Sequence, residues 1–385
     1  MTFIQALGIV SPLGHGLEAT RRALFAGDTS GMKVESGWLP NASACVGRVM
    51  AELPPLPAPL EEWDCRNNRL LAAAAAQIRP AIDAALARHG AKRVALVIGT
   101  STSGIASGED AMAAKIRDGV FPPAFSYKQQ EIGATAPLGA RLLGVRGPAY
   151  TVSTACTSGA KALLAARRLL DLGLADAAIA GGVDTLCRLT VGGFASLEST
   201  SPQRCNPLSR NRNGINIGEG AALFLLGREE AAVRLAGGGE SSDAHHLSAP
   251  DPQGAGAETA MRAALADAGA KPGDIGYVNL HATATRKNDE MESRVMARVF
   301  PAGTPVSGTK PLTGHALGAA GALEAAFCWL ALTDGLLPPH VWDGEADPEL
   351  PALRVAAKGE RLASRMVMSN SFAFGGSNAS LILSA

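Results

Sequence analysis

The residue best suited to covalent chemistry in this chain is Cys156, which lies in the run Thr151-Val-Ser-Thr-Ala-Cys156-Thr-Ser-Gly-Ala160. A β-type run gives way here to small polar residues and then to a helical pattern. A cysteine at a helix start lies near unpaired backbone N–H groups and the positive end of the helix dipole, which favour the thiolate. The same N–H groups can stabilise an oxyanion. Because free cysteines are also frequent in protein cores, this motif alone leaves a structural role open.

A histidine stands at the end of a predicted strand, in Gly276-Tyr-Val-Asn-Leu-His281-Ala-Thr283-Ala-Thr285. The carboxyl ends of strands are where α/β proteins gather their chemistry. Thr283 and Thr285 follow at alternate positions and can offer two hydroxyls to one ligand. A single histidine at a strand end can equally be structural, so this motif also needs support from others.

A second histidine begins an apolar helix, in Ser307-Gly-Thr-Lys310-Pro-Leu-Thr-Gly-His315. Glu324 lies within that helix and needs a cationic partner, because an unpaired buried carboxylate is strongly unfavourable. Lys310, five residues before His315, is the obvious partner. Considered alone, a histidine that only caps the helix explains the motif equally well.

A glycine-containing loop lies between two apolar runs near the C-terminus, in Ser369-Asn-Ser-Phe372-Ala-Phe-Gly-Gly-Ser-Asn378. By itself it could be a turn or a phosphate-binding loop. A Gly-Gly pair is weak evidence for either, so the loop gains meaning only beside the other motifs.

The elements that must position these residues alternate between short β-type runs and longer runs rich in alanine and leucine. The predicted strands are Val94–Ile98, Ala149–Val152, Ala177–Ala180 and Ala221–Leu226, and the predicted helices are Asn68–Ala87, Ala160–Leu172, Glu258–Ala268 and Ala316–Thr333. This alternation predicts an α/β fold with sheets covered on both faces. The helices after Cys156 and His315 are apolar nearly all round, as central helices of a large protein are. One such helix in each half predicts a duplicated architecture.

Composition and charge exclude several classes of protein. Lys plus Arg and Asp plus Glu number 35 each, so the chain has no overall basic field that would hold nucleic acid. The six cysteines lack metal-knuckle spacing, and a chain of 385 residues seldom depends on disulfides, which indicates a reducing cytoplasm. We expect neither a signal peptide nor a membrane span, because no basic region precedes the first apolar residues and Glu324 interrupts the longest apolar run, Ala319–Leu332.

Together and in this order, the four motifs resemble those of the condensing enzymes of the thiolase superfamily, most closely the β-ketoacyl-[acyl carrier protein] synthases of the ketoacyl synthase I/II branch. Cys156 falls in the nucleophile motif, and His281 in the motif H-G-T-x-T. Lys310 and His315 fall in G-T-K-x-x-T-G-H, and Phe372 begins the match to the loop G-F-G-G-T-N. Two further stretches agree, the gating-loop-like Ser242–Gly254 and the glycine-rich Gly214–Ala222.

The resemblance implies a thiolase-like fold, in which two duplicated α/β halves form a five-layer α-β-α-β-α core. Residues 1–232 would form the half with the nucleophile, and residues 233–385 the half with both histidines. It also implies a reaction: Cys156 takes an acyl group from a carrier-protein thioester. His281 and His315 then hydrogen-bond the carbonyl of a malonyl thioester as it loses carbon dioxide, and the carbanion attacks the acyl group.

Supporting roles follow from the same resemblance. They are an oxyanion hole from the N–H groups of Cys156 and Phe372, a gate at Phe372, orientation of the His315 loop by Lys310 through Glu324, and phosphopantetheine binding by Thr283 and Thr285.

The substrates arrive on the 4'-phosphopantetheine of acyl carrier protein, so no bound cofactor and no metal is expected. The expected partners are that carrier and a second subunit, either a copy or a paralogue, joined through the Ala149–Val152 strand. The predicted contacts for an acidic carrier are Lys128, Arg204, Arg210 and Arg212.

Four departures from the family pattern indicate a divergent member from a dedicated secondary pathway. They are Ala282 for Gly, Arg286 directly after Thr285 where the usual Pro is displaced, Ala373 for Gly, and Ser209 and Asn213 for the two carboxylates of P-x-D-x-x-R-D-G. The segment Cys65-Arg-Asn-Asn-Arg69 is similar to synthases of aryl-polyene pigment clusters.

Two other interpretations compete with the synthase. A non-catalytic chain-length-factor subunit shares the fold but lacks the nucleophile, whereas Cys156 is present here. Related thiolases use Cys-His-Cys, and enzymes that start chains from acyl-CoA use Cys-His-Asn. The set Cys156, His281 and His315 therefore disfavours both enzyme classes.

Overall fold

The fold was examined in a computed structural model that describes residues 1–300 and 303–385. The strands are β1 (Thr2–Ser11), β2 (Gly14–His15), β3 (Met32–Glu35), β4 (Ala44–Gly47), β5 (Val94–Gly99), β6 (Ala149–Val152), β7 (Ala177–Asp184), β8 (Ile217–Gly218), β9 (Gly220–Gly227), β10 (Arg234–Ser242), β11 (Tyr277–Asn279), β12 (Val306–Ser307), β13 (Met366–Phe372) and β14 (Ser377–Ser384). The helices are α1 (Leu17–Ala26), α2 (Arg66–Gln77), α3 (Arg79–His89), α4 (Ile105–Asp118), α5 (Thr135–Leu143), α6 (Ser158–Asp171), α7 (Arg188–Ser196), α8 (Ala255–Ala268), α9 (Arg286–Val299), α10 (Lys310–Thr313) and α11 (Ala320–Asp334).

Ten of the eleven strands described in the main sheet form two five-stranded units with the same topology, and β2 pairs with β1 beside them. The order of the ten strands is β12-β11-β13-β14-β10-β1-β9-β7-β5-β6. In the first unit β5 lies parallel to β6 and β7, while β9 lies antiparallel to β7 and β1. In the second unit β11 lies parallel to β12 and β13, while β14 lies antiparallel to β13 and β10. The predicted α/β fold with duplicated halves is therefore confirmed.

The two units meet at one short pairing and at a pair of buried helices. β1 pairs with β10 only at Thr2 with Leu235 and Phe3 with Arg234. α6 and α11 lie in the same hydrophobic cluster between the units. Gly321 of α11 permits the close approach, because a Cβ atom there would lie 2.9 Å from the Cβ of Ala160 in α6.

The predicted strands are all present, but two predicted helices are broken. The run predicted as Asn68–Ala87 forms α2 and α3, which are bent by 74° about Ile78. Pro80 lies in the first turn of α3, where backbone N–H groups have no partner within the helix, so the lack of an N–H costs no hydrogen bond. In the interior of a continuous helix the same proline would break a hydrogen bond and clash with the preceding turn. The run predicted as Ala316–Thr333 begins with a 3₁₀ turn, Leu317–Ala319, before α11.

The stretch Leu317–Asp334 has the length and hydropathy of a membrane span, but 78% of it is buried inside the protein. The bent pair of α2 and α3 passes the same test only if both helices are counted as one span. Burial of this extent is what a core helix of a folded domain shows.

Candidate active site

The structure brings three sequence-distant side chains together at the bottom of one cavity. Nε2 of His315 lies 2.9 Å from Sγ of Cys156, and the rings of His281 and His315 meet edge to face with centroids 5.2 Å apart. All three side chains are buried. Their ligand atoms lie within 4.8 Å of one another, so a soft metal ion could also span them. The Lys310 ammonium, 3.4 Å from Nδ1 of His281, disfavours a second cation there.

Cys156 lies in a tight turn between β6 and α6. Ala155 adopts a left-handed conformation with φ of 52°, and the hydroxyl of Ser158 donates to its carbonyl oxygen at 2.6 Å. Ser101 also donates to that carbonyl, at 3.2 Å. The turn therefore fixes the sulphur at the start of α6, as the sequence predicted.

Burial changes the expected ionisation of Cys156. The sequence predicts a thiolate favoured by the helix N-terminus, but burial raises the pKa of the Cys156 thiol to about 12, while Lys310 and the N–H groups of Phe374 and Cys156 lower it only in part. The resting sulphur is therefore a thiol beside His315. Its proton has to leave when the sulphur attacks.

The N–H group that faces this sulphur corrects one assignment. The sequence predicts an oxyanion hole from Cys156 and Phe372, but the N–H that lies at the sulphur belongs to Phe374. Phe372 lies opposite Asn378 in the ladder of β13 and β14, and its ring meets the His281 ring at 6.0 Å. Matched position by position, Ala373-Phe-Gly-Gly-Ser-Asn378 aligns with G-F-G-G-T-N, so the phenylalanine of the motif is Phe374 and the assignment to Phe372 was displaced by two residues.

Both histidines are neutral. Burial and the positive charge of Lys310 hold the pKa values of His281 and His315 well below their usual range. A neutral imidazole can donate one hydrogen bond without carrying a charge of its own. Two such rings facing one cavity can stabilise negative charge that develops on a carbonyl oxygen.

Lys310 and Glu324 form the predicted ion pair. Nζ of Lys310 lies 2.5 Å from Oε1 of Glu324, and it also donates to the carbonyl oxygen of His281. Burial raises the pKa of Glu324 to about 6, although the Lys310 charge opposes this shift. The Lys310–Glu324 ion pair thus connects the turn before His315 with the backbone of His281. This arrangement suits a role in positioning the two histidines.

Two buried carboxylates that the sequence analysis did not identify hold the loop after β11. Glu292 accepts hydrogen bonds from the backbone N–H groups of His281 and Ala282, at 2.8 and 2.7 Å. Asp289 accepts from the N–H of Ala284 at 3.1 Å. Burial raises the pKa values of both carboxyls, that of Glu292 to about 7. Their spacing of three residues on one face of α9 was the signal available in the sequence.

Asp184, at the end of β7, connects the turns that precede α6 and α11. It accepts from the N–H of Gly318 at 2.6 Å and from the N–H of Ser101 at 2.9 Å. Because Ser101 in turn donates to Ala155, one buried carboxylate orients both central helices toward the cavity.

The cavity has a volume of about 360 Å³ and opens between the two halves. Thr283 and Thr285 line its wall, and their hydroxyls lie 2.8 Å apart. Phe374, half-buried, lies at 5.1 Å from Phe194. The segment that resembles a gating loop lies beside it, since Asp243 binds Asn378 and Leu247 accepts from Gly375.

Comparisons with known proteins agree with this geometry. Residues 68–232 match the model of the β-ketoacyl synthase N-terminal domain, and residues 232–342 match that of the C-terminal domain. A 3-oxoacyl-[acyl-carrier-protein] synthase 2 from Vibrio cholerae is 32% identical over 98% of this chain and 97% of its own length. Nodulation protein E from Rhizobium meliloti is 37% identical over 62% of each chain.

Among solved structures, the ketosynthase ApeO, in complex with its chain length factor ApeC from Xenorhabdus doucetiae, superposes with a TM-score of 0.97. It is 47% identical, and the match covers 100% of this chain and 98% of that one. A β-ketoacyl synthase from Burkholderia phymatum gives a TM-score of 0.88 at 27% identity, with coverage of 100% and 98%. Since the matched domains span most of the chain and the relatives span nearly all of it, the chain belongs to the β-ketoacyl synthase family and is a condensing acyltransferase, a 3-oxoacyl-[acyl carrier protein] synthase.

Proposed function

We propose that Cys156, His281 and His315 carry both halves of a decarboxylative condensation. The observation that carries this proposal is the 2.9 Å contact between Sγ of Cys156 and Nε2 of His315, with the His281 ring across the same cavity. In the first half, the sulphur attacks the carbonyl carbon of an acyl thioester held on the carrier. The proton of the thiol passes to Nε2 of His315 and then to the departing pantetheine thiolate, so no net charge is left on the site.

The N–H groups of Cys156 and Phe374 stabilise the tetrahedral oxyanion in this step. Removing one such donor typically lowers a rate by about 100- to 1000-fold. A second substrate, malonyl thioester, then enters. Its C–C bond breaks, carbon dioxide leaves, and His281 and His315 hydrogen-bond the thioester oxygen on which the negative charge develops. The carbanion attacks the acyl carbon, and Cys156 leaves as a thiolate that takes a proton from solvent, because its original proton left with the first pantetheine thiol.

We assign roles in the same reaction to the two threonines on the cavity wall and to Phe374. Thr283 and Thr285 bind the phosphopantetheine arm, since their paired hydroxyls line the way to the sulphur. Phe374 is the gate, in place of Phe372, because it is the partly exposed ring and adjoins Gly375 and Gly376. We further propose that residues 1–232 and 233–385 are the two structural halves.

The carrier docks at the cavity mouth through Arg286 and Lys287, the residues that stand where the family has its proline. Both are exposed, line the cavity, and make no ion pair among the described residues. The basic residues predicted from the sequence fit less well. Arg212 is buried in a pair with Asp347, Arg210 pairs with Glu345, Lys128 pairs with Glu62, and Arg204 donates to Thr29.

The second subunit is a paralogous ketosynthase-like chain, and the product belongs to a secondary, aryl-polyene-type pathway. The 47% identity to a ketosynthase solved with its chain length factor supports this choice over a homodimer. Within the described residues β6 is an edge strand with one neighbour, and Tyr150 on it is 38% exposed. An unpaired edge is suited to continuation by another chain. We place the protein in the cytoplasm, because its six cysteines are free and buried.

One assay tests these proposals. The purified chain, alone and with a paralogous subunit, is given a panel of acyl carrier thioesters and malonyl carrier, and the products are identified by mass spectrometry. We expect β-ketoacyl carrier products and acylation at Cys156. A non-catalytic subunit would give neither β-ketoacyl carrier products nor acylation at Cys156. A thiolase would instead release acetyl-CoA from acetoacetyl-CoA.

A further inference from the structure

One buried histidine takes no part in the reaction described above. His340 follows α11, and its side chain is only 7% exposed. Its Nδ1 accepts a hydrogen bond from the N–H of Gly308 at 3.0 Å, and its Nε2 donates to the carbonyl oxygen of Pro207 at 3.1 Å. Because Nδ1 is the acceptor, the ring proton is on Nε2. Burial lowers the pKa of His340 to about 4, so the ring stays neutral and keeps one acceptor and one donor.

The first of these bonds reaches the turn that carries Lys310. Gly308 lies two residues before Lys310, whose ammonium binds Glu324 and the carbonyl oxygen of His281. Gly308 also packs against Ala282, since a Cβ atom on it would lie 2.6 Å from the Ala282 Cβ. A shift of Gly308 therefore moves the support of both catalytic histidines.

The second bond reaches the loop that carries the two threonines. Pro207 precedes Leu208, whose N–H donates to Asp289 at 2.9 Å. The other oxygen of Asp289 accepts from the N–H of Ala284, which stands between Thr283 and Thr285. Through this path the Pro207 carbonyl is connected to the wall of the cavity where we place the pantetheine arm.

The residues after His340 strengthen its hold on the Pro207 segment. Asp343 accepts from the side chains of Asn206, Ser209 and Asn211, at 2.6, 3.1 and 2.9 Å. Desolvation opposes the shift, but these amide and hydroxyl contacts and a backbone N–H lower the pKa of exposed Asp343 to about 2. Asp347 pairs with buried Arg212. Segment 340–347 therefore holds the loop after Pro207 through two carboxylates as well as through His340.

We infer that His340 is a positioning residue that sets two parts of the active site independently, the Lys310 turn through Nδ1 and the threonine loop through Nε2. The inference rests on the proposed roles of His281, His315, Thr283 and Thr285. A histidine that only fills the core would change stability when replaced, but it would not separate the decarboxylation rate from the affinity for the carrier.

Two substitutions separate the ring nitrogens. In His340→Asn the amide oxygen takes the place of Nδ1 and keeps the Gly308 bond, and in His340→Gln the amide nitrogen takes the place of Nε2 and keeps the Pro207 bond. We expect His340→Asn to decarboxylate malonyl carrier within about twofold of wild type while its KM rises about fivefold, the effect of one lost hydrogen bond. We expect His340→Gln to keep its KM within about twofold and to decarboxylate about fivefold or more slowly.

The controls decide between this inference and simpler explanations. His15→Asn and His15→Gln change an exposed histidine on β2 and should leave both quantities unchanged. Equal losses of rate and affinity in both His340 variants, or no loss in either, would overturn the inference, and so would failure of both variants to fold, since that is what a core-filling role predicts. If the wild-type chain itself neither acylates Cys156 nor releases carbon dioxide, the proposed function fails instead.

Discussion

Sγ of Cys156 and Nε2 of His315 lie 2.9 Å apart although 159 positions separate the two residues. Cys156 lies two residues before the buried central helix α6, and His315 lies just before the 3₁₀ turn that leads into α11; each follows, in chain order, the third strand of its own five-stranded unit. The duplication thus places the proposed nucleophile of one half against a histidine of the other. The active site forms only when the two halves are packed together.

Mutation should separate the two half-reactions in one direction only, because His315 also takes the thiol proton of Cys156 in the proposed acylation. Cys156→Ala should abolish condensation and leave some malonyl decarboxylation, because His281 and His315 remain. His315→Ala should lower decarboxylation by about 100- to 1000-fold, as expected when a donor to developing charge is removed. Release of labelled carbon dioxide and the intact mass of the protein report the two halves. Wild-type decarboxylation by His315→Ala would contradict the assigned roles.

Alkylation of Cys156 should depend steeply on pH. Because burial raises the pKa of this thiol to about 12, the thiolate is a minor form at neutral pH, and its fraction rises as the pH rises toward that value. The rate of iodoacetamide labelling at position 156, followed by peptide mass spectrometry, should therefore increase from pH 7 to pH 9 without a plateau. A rate that is already constant at pH 7 would indicate a resting thiolate.

Gly308 and Ala282 should behave as a coupled pair. Gly308→Ala places a methyl group 2.6 Å from the Cβ of Ala282, and overpacking of this kind destabilises by about 1–3 kcal/mol. Adding Ala282→Gly removes the opposing methyl, and it also suits the left-handed φ of 38° at that position. Denaturant unfolding should show the double variant to be more stable than Gly308→Ala.

Gly273→Ala, which has no atom within 4 Å of the new Cβ, is the control and should change stability by less than about 0.5 kcal/mol. Additive effects of the two substitutions would contradict the contact.

Reversing the charges at the cavity mouth should weaken carrier binding. Arg286→Glu/Lys287→Glu should raise the KM for malonyl carrier about tenfold at low salt, and by less at high salt, because ions screen the attraction. Arg21→Glu/Arg22→Glu on α1 reverses an adjacent exposed pair that does not line the cavity, and it should change KM little. If both double variants have the same effect, carrier docking lies elsewhere.

Short-range chemistry in the sequence indicated the local setting of each candidate residue, and the resemblance of the motifs to those of ketoacyl synthases joined them into one predicted site. A small-residue turn before an apolar helix places Cys156, a strand end places His281, and a buried carboxylate requires Lys310 near Glu324. Each inference uses only neighbours within a few positions and the rule that buried charges are paired. The strands were predicted for the same reason, since continuous apolar runs indicate sheets that are buried on both faces.

The tertiary structure decided what depends on distant packing. The pKa of Cys156 follows its burial in the assembled fold and not the start of α6 alone. Asp343 and Asp347 bind the loop at Ser209 and Arg212 from a segment more than 130 positions away. Such contacts form only when segments that are distant in the sequence pack together. A local sequence pattern does not indicate which distant segment will pack against it.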